Sequence, residues 1–562
     1  MNRAMSRSFV PYQDTPETSE FARFVRPGLV RLLDGFRLGV HYHRGEGDAL
    51  YWHGPKGETA VLDLVGGFGT GLFGHNHPEL VAAFRKCLDE QLPIQAQGSV
   101  RGPAGELAAR LSHIAGQDDG RSFVTTFAST GTEVVEAALK HARLEYDHRR
   151  TAEMRRLRIF ANWARFDLTR GRLKLQEAFR QQALAVGVER AIPTESLTSV
   201  LVERACDALQ TQPLSLALQG AFHGKTLGSL QITHADRHRH PWVGSATSFL
   251  HATDPEELER QLEAHTFTIH IPAWDADSGL RVESQKHSRL SAVVIEPLQG
   301  EGGIRLPNPE NLRVLRKAAD THGFPLVMDE IQCGMGRTGT FFACSQTGVQ
   351  GDYYLLAKAL GGGLAKLGAL LVDRRRYVED FGVLHTSTFA DDDLSCSLAL
   401  TALDIVERDG GALMKDCRDK GQWLRGELLA LQKLYPNWIA DVRGQGLMLG
   451  IDFGTGHRPT SPMLAMLLDE DLLASFLAGH LLHEENIRVL PALSSGKVMR
   501  IEPSAFVTRS ELARFVLAFE RVLQKLESED FVALGRFAFG EDPGAPTTLV
   551  RDEAWKRPTG EA

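Results

Sequence analysis

Pro325-Leu-Val-Met-Asp-Glu-Ile-Gln332 is an apolar run that stops abruptly on two acids. Hydrophobicity that is continuous rather than alternating fits a strand covered on both faces, and its polar end places Asp329 at the carboxyl edge of a sheet. Ser291-Ala-Val-Val-Ile295 and Gly368-Ala-Leu-Leu-Val372 have the same form, and Glu296 stands at the end of the first as Asp329 does here. Helical stretches between the runs, such as Asn311 to Thr321, supply crossovers. This alternation predicts a mostly parallel α/β sheet, whose ligands bind beyond the carboxyl ends of its strands.

Working outward, Val61-Leu-Asp-Leu-Val65 reads as a short strand entering a glycine-rich turn, Gly66-Gly-Phe-Gly-Thr-Gly71, with a helix starting at Pro78. The pattern divides the chain into four parts. Residues 1–95 form an N-terminal segment joining a small domain, and 96–412 a large domain. Residues 413–526 form the smaller α+β domain, and 527–562 a tail. Two stretches look added to this plan. Residues 144–212, rich in Leu, Arg, Glu and Gln, predict a helical insertion, and 264–287 a polar loop excursion.

At 562 residues, with 43% hydrophobic and 24% charged residues, the chain has the composition of a globular protein of more than one domain. A formal net charge of -8 argues against nucleic acid as the main partner. The basic run from Arg149 to Arg158 is read as a solvated helix face. The six cysteines form no CxxC pair, and the polar beginning of the chain has no signal-peptide core. No apolar stretch reaches the roughly 18 to 20 residues that span a bilayer. Cytoplasmic location, no membrane and no metal are therefore expected. His75 and His77 are read as part of a turn before a helix.

Three features carry chemistry. Asp329 is a strand-end carboxylate. Lys358, in Leu355-Leu-Ala-Lys-Ala-Leu-Gly-Gly-Gly363, is an amine in an apolar stretch, where desolvation makes it a usable nucleophile. Phe127-Ala-Ser-Thr-Gly-Thr-Glu133 opens an amphipathic helix, whose N-terminal N–H groups suit an anion. Each has a plainer reading: an acid capping a strand, a lysine snorkelling outward, and Thr130-x-x-Glu133 as a capping box. Together an acid for a pyridine nitrogen, an amine for an aldehyde and a seat for a phosphate are what pyridoxal 5'-phosphate requires.

From about Leu50 to Leu526 the sequence resembles the class III (ω-)aminotransferases, fold-type-I pyridoxal-phosphate enzymes. The resemblance is carried by Gly74-His-Asn-His-Pro78, Ser129-Thr-Gly-Thr-Glu133, Ala221-Phe-His-Gly-Lys-Thr226 and Glu296-Pro-Leu-Gln-Gly-Glu-Gly-Gly303. Asp329-Glu-Ile-Gln332, Gly336-Arg-Thr-Gly339 and Lys358-Ala-Leu-Gly-Gly-Gly363 complete it. It implies an α/β fold with a large, mostly parallel-sheet domain and a smaller α+β domain. It also implies ping-pong transfer of an amino group from an amine or amino-acid donor to an aldehyde or ketone.

Lys358 would bind the cofactor as a Schiff base and Asp329 would pair with its ring nitrogen. Gln332 would reach the phenolic oxygen, Phe222 would stack on the ring with His223 beside it, and Thr130, Gly131 and Thr132 would hold the phosphate. In a homodimer with shared active sites, Thr388 would come from the neighbouring subunit. Glu301 and Arg500 would form a switch pair for a donor's carboxylate. Where the family usually reads Gly-Gly-Asn-Pro-Leu after this threonine's motif, the chain has Ala390-Asp-Asp-Asp-Leu394; an aspartate capping the next helix accommodates the change. An aminomutase, decarboxylase or lyase on the same fold, or a non-catalytic partner-binding scaffold, would be the alternative.

Overall fold

The computed structural model describes residues 19–54, 57–93, 95–234, 249–251, 254–275, 279–454 and 458–539; within the tail expected over 527–562, Phe531–Phe539 is instead a helix with Leu534 and Phe537 buried, and the residues beyond 539 lie outside the described ones. All three apolar runs belong to one seven-stranded sheet. Counting this sheet alone, its strands are β1 (Phe123–Ala128), β2 (Leu214–Leu218), β3 (Phe249–Leu250), β4 (Leu290–Ile295), β5 (Leu326–Asp329), β6 (Tyr353–Leu356) and β7 (Gly368–Asp373). Their order is β1-β7-β6-β5-β4-β2-β3. β7 runs antiparallel to both neighbours and all other pairs are parallel.

Successive side chains point to opposite faces, so each central strand feeds two apolar layers. Val293, Ile295, Tyr354, Leu356, Ala369 and Leu371 enter one; Ala292, Val294, Tyr353, Leu355, Leu370 and Val372 enter the other. The long helix Gly131–Thr169 covers the second through Val134, Val135, Ala138 and Ala142. Every residue of β4, β5, β6 and β7 is buried, which is why their sequences do not alternate.

The stretch expected as a loop excursion is instead a pair of antiparallel strands, Thr266–Asp275 and Gly279–Ser288. Its polar residues face outward while Ile269 and Ile271 pack on Leu157, Ala161, Val202 and Leu209. Leu280 packs on Phe179, Ala183, Leu197 and Leu201. Thus the far half of the long helix, helices Glu177–Ala185 and Leu197–Leu209, and this strand pair share two apolar clusters. The basic run lies on this long helix with Arg155, Arg156 and Arg158 exposed. Ile271→Ala is expected to cost about 2–5 kcal/mol, the price of a core cavity, read as a lower urea midpoint. An effect below about 0.5 kcal/mol would return the stretch to a surface loop.

A second, antiparallel sheet is built from Asp441–Gln445, Met448–Asp452, Leu490–Ala492 and Ser495–Ile501, backed by helices Leu473–Glu485 and Arg509–Glu527. Ile487–Arg488 pairs in parallel with Leu62 and Asp63 of the N-terminal strands. Buried Arg337 donates to the carbonyls of Leu447 (3.1 Å) and Pro503 (2.8 Å), tying the loop after β5 to this region.

Candidate active site

β5 delivers Asp329 to the sheet's carboxyl edge, where it is buried. Its Oδ1 accepts from the Ile331 N–H at 3.1 Å, and its Oδ2 lies 2.6 Å from His223 Nδ1. Burial depresses the imidazole's proton affinity, but the hydrogen bond and charge of Asp329 overcome it, and the His223 pKa is raised. His223 is therefore the partner of Asp329, not merely a neighbour of Phe222. Glu296, the other strand-end acid, accepts from the N–H groups of Phe222 (2.9 Å) and Gly300 (3.2 Å). Burial raises its pKa to about 7. Glu296 thus pins the loop that carries Phe222 and His223.

Lys358 follows β6 and opens a tight turn. Its φ is +48°, a left-handed conformation costly for a residue with a side chain, and Gly362 and Gly363 continue at φ +65° and +77°. Burial lowers the Lys358 pKa; Glu502, Glu301 and Asp329 favour its charge and Arg500 opposes it. The glycine-rich turn after Val65 closes over this lysine. A Cβ at Gly69 would stand 3.2 Å from Gln332 Cγ and 3.5 Å from Lys358 Cδ, so Gln332 and Lys358 lie under the same glycine.

The helix N-terminus meets these groups from the other side. A Cβ on Gly131 would lie 3.1 Å from Ile331 and 3.5 Å from Ala357, the immediate surroundings of Asp329 and Lys358. The capping box is formed: Thr130 Oγ1 accepts from the Glu133 N–H, and Glu133 Oε2 accepts from the N–H groups of Ser129 and Thr130, each at 2.9 Å. Thr132 Oγ1 lies 3.1 Å from Thr226 Oγ1 and 2.9 Å from Ser229 Oγ. The cap occupies the Thr130 hydroxyl and backbone N–H, which leaves the N–H groups of Gly131 and Thr132 outside the capping box.

Glu301 and Arg500 are both buried and paired at 2.7 Å. Glu301 also accepts from the Leu493 N–H at 2.8 Å, and the Arg500 guanidinium stands 4.5 Å from the Phe68 ring centre. Burial raises the carboxyl's pKa, but Arg500 and Lys358 outweigh it and hold the value below normal.

Thr388 stands apart in an exposed segment, its carbonyl bonded to the Gln97 side chain. Among the hydrogen bonds of the described residues, none joins it to Gly131 or Thr132. Asp392 caps helix Asp393–Leu434 by accepting from the Ser395 N–H at 2.8 Å, and Asp391 lies 3.8 Å from the Arg101 guanidinium. Two of the three acids thus have other partners. His75 pairs with Asp63 at 3.0 Å.

Sequence reasoning gave no role to Phe68, Gly69 or Glu502. The glycine-rich turn and the Arg500-Ile-Glu502 order were visible, but neither marks a contact across hundreds of residues. Glu502 is fully buried and accepts from Gln332 Nε2 at 2.8 Å.

The residues present fit pyridoxal phosphate: a desolvated amine, a strand-end carboxylate, and a helix N-terminus close to both. This fold and site define a fold-type-I pyridoxal-phosphate transferase. More narrowly, the chain belongs to the class III aminotransferases, whose family model, "Aminotransferase class-III", matches residues 37–523. It is accordingly a pyridoxal-phosphate-dependent transaminase.

Solved structures share the fold. An ornithine aminotransferase from Toxoplasma gondii ME49 is 20% identical, with a TM-score of 0.62 over 87% of this chain and 92% of that one. An amine transaminase from an uncultivated Pseudomonas species, solved with pyridoxal phosphate bound, is 23% identical, with a TM-score of 0.62 over 86% and 95%. A transaminase from the marine bacterium Virgibacillus is 17% identical, with a TM-score of 0.63 over 87% and 94%.

Proposed function

We propose that Lys358 is the cofactor-bearing and proton-transferring residue of this transaminase. The observation that carries the reading is a lysine held at positive φ under Gly69, beside Gln332 and close to the Asp329 strand end. Pyridoxal phosphate, when bound, supplies an aldehyde for the substrate amine and a ring that absorbs electrons from the substrate carbon. Lys358 Nζ holds the cofactor at rest. Freed from it, the same amine would be placed to accept and return a proton at the substrate carbon. Its lowered pKa favours the neutral amine that a base requires. Asp329, steadied by His223, would keep positive charge on the ring nitrogen. Gln332 would contact the phenolic oxygen, Phe222 would cover the ring face, and Gly131 and Thr132 would seat the phosphate with Thr130 at the cap.

Glu301 neutralises Arg500 until a donor carboxylate replaces it, so amino-acid donors are accepted alongside simple amines. The acceptor is an aldehyde or ketone. The test is a donor and acceptor screen on purified protein. Cofactor absorbance should shift to the amine form with donor alone and return with acceptor. Release of carbon dioxide or phosphate without that shift would favour a decarboxylase or lyase.

The working unit in this reading is a homodimer in which Thr388 completes the partner's phosphate site. Support comes from the apolar side chains exposed around Thr388: Val383 is 85%, Leu384 54% and Phe389 65% exposed in the single chain. Phe389→Asp is expected to convert a dimer into a monomer in light scattering and to weaken cofactor retention about tenfold, the loss of roughly 1.4 kcal/mol. A dimer unaffected by the change would remove this surface from the interface. The division into large and small domains belongs to the same reading, as does a cytoplasmic location, which suits six unpaired, buried cysteines. Among the described residues no helix is long and apolar enough to cross a membrane.

A further inference from the structure

Glu502 is a buried carboxylate that the mechanism above leaves unused. It follows the strand Ser495–Ile501, and its N–H donates to the Leu64 carbonyl at 2.7 Å. The Gly66 backbone sits so close that a Cβ there would fall 2.3 Å from the Glu502 carbonyl oxygen. The residue is therefore clamped by its main chain. Its Oε1 accepts from Gln332 Nε2 at 2.8 Å, while its Oε2 is buried without a partner.

This contact decides how the Gln332 amide is turned. A carboxylate accepts only, so Gln332 must present its NH2 group, and its oxygen is directed elsewhere. That oxygen lies against Gly300, where a Cβ would stand 2.0 Å from it and only hydrogen fits. One N–H of Gln332 is then held by Glu502 and the second is left for another acceptor. Lys358 lies beside the same Gln332 side chain under Gly69.

We propose that Glu502 is a positioning residue: it turns the Gln332 amide so that a free N–H would face the cofactor's phenolic oxygen, and its charge stands behind the Gln332 side chain that Lys358 adjoins. The inference rests on the assignment of Lys358 and Gln332 given above. Among the charges acting on Lys358, Glu502 favours the ammonium most, ahead of Glu301 and Asp329, with Arg500 opposed. Glu502 also favours the charge of buried Arg337. A carboxylate at this place would favour positive charge on the Lys358 nitrogen to higher pH.

The experiment follows the visible absorbance of the holoenzyme against pH in wild type, Glu502→Gln and Glu502→Asp. E502Q keeps the shape and removes the charge, and it is expected to lower the absorbance midpoint by about one pH unit. E502D keeps the charge and should stay within a few tenths of a unit of wild type. A midpoint unchanged in E502Q overturns the inference. So does a lower unfolding temperature with an unchanged midpoint, the mark of a purely structural residue. Should E502Q yield no soluble holoenzyme, Glu502→Ser, which leaves room for water, is read by the same criterion. Wild-type enzyme without a lysine-bound cofactor band would overturn the assignment of Lys358 itself, an outcome distinct from a band whose midpoint ignores Glu502.

Discussion

Lys358→Ala is expected to lower transamination by on the order of 10³–10⁴-fold, because on the proposed role of Lys358 one substitution removes both the group that holds the cofactor and the group that moves the proton. A positioned proton-transfer group alone accounts for about 10²–10⁴. Loss of the covalent tether adds slower binding and release of each cofactor form. Borohydride treatment of cofactor-supplemented wild type should place a pyridoxyl label on the peptide containing position 358, and K358A should carry none. Stability should move the other way or not at all. The lysine is desolvated against its own charge, so apo K358A is expected to unfold at or above the wild-type temperature, a common trade at catalytic positions. Turnover within tenfold of wild type, or a label elsewhere, would show that another amine does this work.

Why that lysine was legible has a physical basis. β4, β5 and β7 are sandwiched between two apolar layers, so their sequences are unbroken apolar runs whose ends are obvious, and ligand chemistry in such sheets collects at those ends. Asp329 is visible for that reason, and Lys358 from its own apolar stretch with the glycines behind it. The direction of β7 is not encoded in any such run, and its antiparallel course was unreadable. The strands Thr266–Asp275 and Gly279–Ser288 are solvated on one side, so polar residues interleave with Ile269, Ile271 and Leu280 and disguise them as a loop. Thr130 illustrates a signal with two valid readings: its capping box is formed, and the same helix end still offers the N–H groups of Gly131 and Thr132. Glu502 was hidden for another reason, since its contact with Gln332 spans 170 residues and leaves no trace in local pattern.

Asp329→Asn tests the other half of the site and should separate chemistry from folding. An amide cannot hold a proton on the ring nitrogen by charge, so turnover is expected to fall about 10²–10³-fold, comparable to deleting one preorganised electrostatic partner. The fold should suffer too, because His223 is left buried opposite a neutral group. Removing one member of a buried ion pair costs about 3–5 kcal/mol, less here since imidazole can shed its proton. The pH dependence follows from the direction of the His223 shift. Its folded-state pKa is raised above 6.5, so the pair's contribution is fully present below 6.5 and fades as pH climbs through the raised value. The stability gap between wild type and D329N, read from urea midpoints, should therefore be widest at the acidic end, below pH 6.5, and shrink towards the alkaline end. An equal gap at both ends would mean that His223 is neutral throughout and that Asp329 is held by the Ile331 N–H alone.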